Sequence, residues 1–287
     1  MAVVRKMEDM DVSALQQRLC SDLRQFAVPR HARWDPLGLM TVRQLLRERL
    51  GRFGALEAHT FTNDGEEGTN LILKLPGQNP KRRPLLVGAH YDGPLHSPGA
   101  DDNASGVVAL LELARRWALK PPRRPVWLVA FDQEEWGMVG SEALARELKA
   151  QGQDLKLMVS LEMLAFTSEE QAYPHSAMEG VYGKRGDYIA LVANTSAGLM
   201  LPGLSRAMGR HVKTKVLPVP RKGKDIPEVR LSDHSPFWDQ GCRALMVTDT
   251  SFMRNPNYHQ MSDTVETLDL PFFCRVVEGL DEAFRGL

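Results

Sequence analysis

The chain has 287 residues, 43% hydrophobic and 25% charged, the make-up of a soluble globular protein long enough to bury a sizeable core. Lys plus Arg and Asp plus Glu stand at 36 each, so the charge balance excludes nucleic acid as an expected partner. Cys20, Cys242 and Cys274 are scattered and form no C-x-x-C pair, which supports neither a zinc ribbon nor a disulfide framework.

In chain order, Val12, Leu15, Leu19, Leu23 and Phe26 fall on one helical face, and Pro29 stops that helix. The opening MAVVRKMEDMDV has no apolar core of signal-peptide length. A second helix is expected over Val42–Leu50, ended by Gly51 and Gly54. Leu56–Phe61 and Asn70–Leu75 alternate as strands and are expected to pair as a hairpin at one side of a sheet. Leu85–Ala89 is a short, continuously apolar run, followed by a helix face of Val107, Val108, Leu110, Leu111, Ala114 and Trp117. Val126–Phe131 is a second such run, and Val139, Ala143, Leu144 and Leu148 mark the helix after it. Leu155–Leu164, Tyr188–Val192 and Arg243–Val247 are further apolar runs, with a helix around Leu199–Met208 and a weaker strand at Lys213–Val219. Asp269 caps a last helix, with Pro271 in its first turn and Phe272, Phe273, Val276, Val277, Leu280 and Phe284 turned inward. No run approaches the roughly 18 apolar residues that span a bilayer, so no membrane association and a reducing, cytoplasmic location are expected.

Continuous apolar strands alternating with amphipathic helices predict an α/β fold: one three-layer α/β/α domain over residues 1–287, with a mixed, mainly parallel central sheet. Residues 1–50 are expected as a helical N-terminal extension packed on it. The stretches 165–187 and 218–236 are too long and irregular for simple connections and are expected to shape a pocket.

Ligands of open α/β sheets bind at the carboxyl ends of the strands. Here the first apolar run ends at His90, the second in Asp132-Gln133-Glu134-Glu135, the third holds Glu162, and the fifth leads to Asp249 and then Tyr258-His259. Taken singly, several of these have plain explanations. Asp101–Asp102 and Glu134–Glu135 suit the positive first turns of helices, and His90 or His259 alone is an ordinary histidine. Glu162, inside the apolar stretch LMVSLEML, is harder to dismiss, because a buried carboxylate costs several kcal/mol unless paired or metal-bound. Jointly, two histidines and three carboxylates at strand ends make a plausible ligand set for two divalent ions of the zinc class, with Co²⁺ or Mn²⁺ as substitutes. No HExxH, GxSxG or Walker loop is present.

The segments GAHYD (88–92), SPGADDNASG (97–106), EEWGMVGS (134–141), SLEML (160–164), SDHSPF (232–237) and RNPNYHQMSDT (254–264) resemble the M28 family of zinc aminopeptidases, a group that also holds glutaminyl cyclases and glutamate carboxypeptidases. The resemblance covers roughly residues 68–270. It implies metal ligands at His90, Asp102, Glu135, Glu162 and His259, with Asp102 bridging two Zn²⁺ ions and its neighbour Asp101 not a ligand. It implies a general base at Glu134, an oxyanion-directed phenol at Tyr258, and Asp92 orienting His90. Asp233, with His234, matches a motif near the pocket, behind the ligands or beside the substrate. Most members carry Asp where this chain has Glu162, a departure that bears on metal spacing and on the grip on a substrate amine.

The implied reaction is hydrolysis of N-terminal residues from peptide substrates by a metal-activated water. The alternatives are a single-zinc glutaminyl cyclase and a non-catalytic binding protein of the same fold. The sequence does not give the side-chain preference or the oligomeric state. Arg185, Arg221, Arg230 and Arg254 are each possible anchors for a substrate carboxylate.

Overall fold

The computed structural model describes residues 2–287, with side chains from Ser13 onward; Met1 and the side chain of Val12 lie outside the described residues. Helices α1 (Ala2–Phe26) and α2 (Pro36–Gly51) lead into strands β1 (Leu56–Asn63), β2 (Glu66–Leu75) and β3 (Leu85–His90). Then follow α3 (Gly106–Leu119), β4 (Val126–Phe131), α4 (Val139–Ala150), β5 (Leu157–Glu162), α5 (Ala177–Tyr182), β6 (Ile189–Asn194), α6 (Thr195–Gly198), α7 (Leu201–Met208) and β7 (Thr214–Val219). The chain closes with α8 (His234–Asp239), β8 (Ala244–Thr248) and α9 (Leu270–Arg285). Helix α2 begins before the expected Val42, because Pro36 sits in its first turn, where a missing N–H costs nothing. The Asp269 carboxylate caps α9 by accepting from Phe272 N at 2.8 Å.

The strands form one eight-stranded sheet in the order β1-β2-β4-β3-β5-β8-β6-β7. Strands β4, β3, β5 and β8 run parallel to one another, and β6 runs parallel to β7. The β1–β2, β2–β4 and β6–β8 pairs are antiparallel. The β1–β2 hairpin lies at the sheet edge, and its two-residue loop is Asp64–Gly65, both at positive φ, the conformation that D-G loops adopt most readily.

Alternation along the strands divides the core into two layers. Leu85, Val87 and Ala89 of β3 join α1, α2, α3, α7 and α9 on one face. Leu86, Val129 and Phe131 join α4 and α8 on the other. Gly88 must lack a side chain, because a Cβ there would lie 2.2 Å from the Phe131 ring. Leu15, Leu19, Leu23, Phe26, Leu39, Val42, Leu46 and Leu50 of the N-terminal helices are buried in the first of these layers. Among the described residues no helix is long and apolar enough to cross a membrane.

Because β4, β3, β5 and β8 are adjacent and parallel, their carboxyl ends open on one edge of the sheet. His90 is the last residue of β3 and Glu162 the last of β5. Glu134 and Glu135 follow the end of β4, and Asp249 follows β8.

Candidate metal centre

At this edge three groups of ligand-type atoms form; one is His90, Glu134 and Glu135, and the other two meet on one residue. His90, Asp102 and Glu162 form the first of these two, and Asp102, Glu135 and His259 the second. Asp102 presents one oxygen to each: Oδ1 lies 3.4 Å from His90 Nε2 and Oδ2 lies 3.1 Å from His259 Nε2. His90 Nε2 is also 3.6 Å from Glu162 Oε1, and His259 Nε2 is 3.4 Å from Glu135 Oε2. The structure therefore brings together all five residues that the resemblance nominates as ligands. Glu134 is beside them, its Oε2 at 4.0 Å from His90 Nε2.

The donor set fits divalent metal of the zinc class. His90 Nε2 and Glu135 Oε1 are buried without any hydrogen-bond partner, which is costly unless a cation completes them. Two imidazoles and three carboxylates suit Zn²⁺, Co²⁺ or Mn²⁺.

The electrostatics report crowding of like charge. Burial, then repulsion from Glu162 and Asp233, pushes Glu134 well above the usual carboxylate range. Burial and Asp102 do the same to Glu135. Burial would also raise Asp102, but the imidazoles of His259 and His90 beside it hold it low. Burial opposes charge on His90, yet Glu134 and Glu162 raise it well above an ordinary histidine.

The surrounding residues fix the ligands. Asp92 Oδ1 and Oδ2 accept from the backbone N–H groups of Glu134 and Glu135, each at 3.1 Å. The same carboxylate lies 3.4 Å from His90 Nδ1. One acid thus orients a ligand from β3 and the loop after β4. The backbone N–H of Asp102 donates to Asp263 Oδ2 at 3.1 Å. Glu162 Oε2 accepts from Ser232 Oγ at 2.7 Å. Asp101 points elsewhere: its oxygens accept from Ala165 N and Asn255 Nδ2, and burial with the nearby Asp249 carboxyl raises it strongly. Asp132, another strand-end acid, is taken up by Arg43 at 2.7 Å.

Tyr258 stacks on the His259 ring at 3.8 Å; burial, then the carboxylates beginning with Asp102, keep its phenol protonated. Asp233 is buried with neither oxygen hydrogen-bonded, and burial pushes it up to about 7. His234 turns away: its Nε2 meets Val229 O at 2.9 Å and its ring packs edge-on to Trp238. Of the arginines, Arg185 pairs with Glu169, Arg221 with Asp225 and Arg230 with Asp239. Arg254 is buried and donates to the carbonyls of Gly186 and Tyr188.

A cavity of about 250 Å³ opens beside the centre and is lined by Glu134, Glu162 and Tyr258 together with Tyr173, Val192 and Met246 among others. The irregular stretches supply much of its wall, through Met178 and Tyr182 from one and Val229 and Leu231 from the other. Sequence reasoning missed Ser232 and Asp263, whose residue types are unremarkable outside this geometry. It also missed Arg30, whose only signal was a position after Pro29.

The sequence profile of Peptidase family M28 matches residues 70–281. YfbL of Escherichia coli (strain K12) is 32% identical, with 88% of each chain covered. A protein of Trichophyton verrucosum named probable leucine aminopeptidase is 27% identical over 70% of this chain, which spans about half (52%) of that relative. Solved structures that share the fold include two of different activity. The LapA aminopeptidase of Legionella pneumophila superposes with a TM-score of 0.69 at 17% identity, covering 96% of this chain and 75% of that one. The glutaminyl cyclase of Bacteroides thetaiotaomicron gives 0.67 at 16% identity, covering 96% and 98%.

Proposed function

The chain belongs to peptidase family M28, and from that membership we propose that it is a di-zinc aminopeptidase with Glu134 as its general base. The observation that carries this reading is the double engagement of Asp102, one oxygen in each of two ligand groups. His90 and Glu162 would complete one metal position, Glu135 and His259 the other. Ions held there would supply Lewis acidity to a peptide carbonyl and acidify a water molecule.

The chain's own residues then divide the remaining work. Glu134 lines the cavity and its backbone is held by Asp92. It takes the proton of the attacking water and delivers it to the leaving amine nitrogen. Tyr258, kept protonated, donates toward the developing oxyanion. Glu162, at the cavity wall, receives the ammonium group of a free N-terminus. The aromatic and methionine-rich wall excludes water and accepts an apolar N-terminal side chain. The relative named probable leucine aminopeptidase is consistent with that preference.

The glutaminyl cyclase reading shares the fold but calls for a single zinc, and the two ligand groups that meet on Asp102 favour two ions. Metal analysis after zinc loading, with parallel assays on aminoacyl-anilides and a peptide beginning in glutamine, separates the readings. Two zinc ions per chain are expected. Aminoacyl-anilide cleavage should be lost on chelation and restored by Zn²⁺ or Co²⁺. One ion with pyroglutamate formation would overturn the aminopeptidase reading, and silence across the panel at saturating zinc would favour a binding protein.

A further inference from the structure

Residues 28–43 lie outside every motif of the centre, yet their side chains reach both loops that carry its ligands. We propose that this segment is a positioning strap for the metal site, with Arg30 as its principal residue. The inference rests on the metal reading above and adds residues that no motif of that reading contains.

Arg30 is only 1% exposed, and its fork is spent on backbone carbonyls. Nε donates to Tyr91 O at 3.0 Å. Nη1 donates to Val28 O and Pro98 O at 3.0 and 2.5 Å. Nη2 donates to Gly99 O and Asp102 O at 2.9 and 3.3 Å. Four of these five acceptors lie between Tyr91 and Asp102, the loop that joins His90 to the bridging acid. Asp102 is thereby held at both peptide groups, its N–H by Asp263 and its C=O by Arg30. The loop is shaped around the guanidinium. A Cβ on Gly93 would lie 3.1 Å from Arg30 Cγ, and one on Gly99 3.0 Å from Nη2.

Two neighbours extend the strap to the loop after β4. Arg43 donates to Tyr91 Oη and to Asp132 Oδ2, both at 2.7 Å. His31 Nε2 accepts from Trp136 Nε1 at 3.2 Å, immediately after Glu134 and Glu135. Helix α2 approaches closely enough that a Cβ on Gly38 would sit 1.9 Å from Pro29 O. The segment thus holds the backbone between His90 and Asp102 through Arg30 and grips side chains on either side of Glu134 and Glu135, at Asp132 and Trp136. Residues that hold a metal's ligands in place commonly govern affinity by 10- to 100-fold.

Arg30→Lys isolates the effect. It keeps the positive charge but replaces a planar five-donor fork with a point donor, so a change in zinc affinity reports geometry and not field. Zinc affinity is read by competition with a chromogenic chelator on folded protein, without turnover. Arg30→Lys is expected to weaken zinc binding by about 10-fold, and Arg43→Gln to weaken it in the same direction. Leu46→Ala, buried in α2 among the core residues, is expected to lower the thermal midpoint and leave zinc affinity unchanged. Wild-type affinity in Arg30→Lys overturns the strap. Should that variant not fold, wild-type affinity in Arg43→Gln overturns it instead. An equal loss of affinity in Leu46→Ala also overturns it, by tracing the effect to general destabilisation. Failure of the wild-type protein to bind zinc removes the metal reading itself, whereas zinc binding without peptidase activity counts only against the proposed reaction.

Discussion

Replacing Asp92 by Asn separates what this buried acid does for the fold from what it does for metal. Its two oxygens accept from two backbone N–H groups. Asparagine has one oxygen, so one of those N–H groups would face an NH₂ group. A hydrogen bond to a charged partner contributes about 1.5–3 kcal/mol, and a buried donor left unmade costs about 1–3 kcal/mol. Asp92→Asn should therefore destabilise the metal-free protein by about 2 kcal/mol or more. The thermal midpoint would fall by at least roughly 4 °C at the usual conversion for chains of this size. The same change removes the negative charge 3.4 Å from His90 Nδ1, leaving the ring to the Asp92 backbone carbonyl at 3.3 Å. Zinc affinity is expected to drop by about 10- to 100-fold. Chemical denaturation under chelator reads the first effect, and zinc competition on folded protein reads the second. A variant within roughly 0.5 kcal/mol of wild type that also binds zinc normally would refute the assignment of Asp92 as organiser of both loops.

Glu134→Gln should retain bound zinc while turnover falls by about 10²- to 10⁴-fold, the range for loss of a general base; near-normal turnover would move the base elsewhere. A separate expectation concerns acid stability. Burial, opposed by the Val229 carbonyl and helped by the charge of Arg230, pushes His234 from the ordinary 6.5 down to about 3. A depressed histidine is neutral in the native state, so its contribution to stability is present above the unfolded value and declines as pH falls toward the folded one. Between about pH 8 and about pH 5 the loss is roughly 2 kcal/mol. His234→Phe keeps a ring against Trp238 and removes the titration. The wild-type and variant stability curves should converge or cross by that amount on acidification, and parallel curves would show that His234 is not held neutral.

The sequence exposed those parts of the structure that rest on local pattern. Val126–Phe131 is β4 to the residue, because six apolar residues between Pro125 and Asp132 leave little latitude. The α9 start was legible because Asp269 and Pro271 are chemically specific for a helix entry. The gathering of His90, Glu134, Glu135 and Glu162 at one edge followed from strand ends, since parallel neighbours must deliver their ends together, whereas Asp102 and His259, in loops well beyond β3 and β8, were nominated by the family resemblance. What escaped was whatever depends on long-range contact between unexceptional residues. Arg30 has no periodicity to betray it, and its carbonyl acceptors are invisible in any sequence. His234 adjoins Asp233 in the chain, but helix α8 turns its imidazole toward Val229 and Trp238. The position of β8 between β5 and β6 is likewise a matter of chain crossing, which composition does not encode.

Four of the five carbonyls that Arg30 holds come 61 to 72 residues later in the chain, and Asp132 follows Arg43 by 89. During synthesis both guanidinium groups emerge long before their acceptors exist. Loop closure over such separations is entropically costly and is repaid only once strands β3 and β4 stand side by side. Docking of the first helices thus closes contacts as distant in the chain as the sheet's own β3–β5 and β5–β8 pairings. On the strap proposal, a chain whose first helices have not docked carries the ligand residues without the means to aim them.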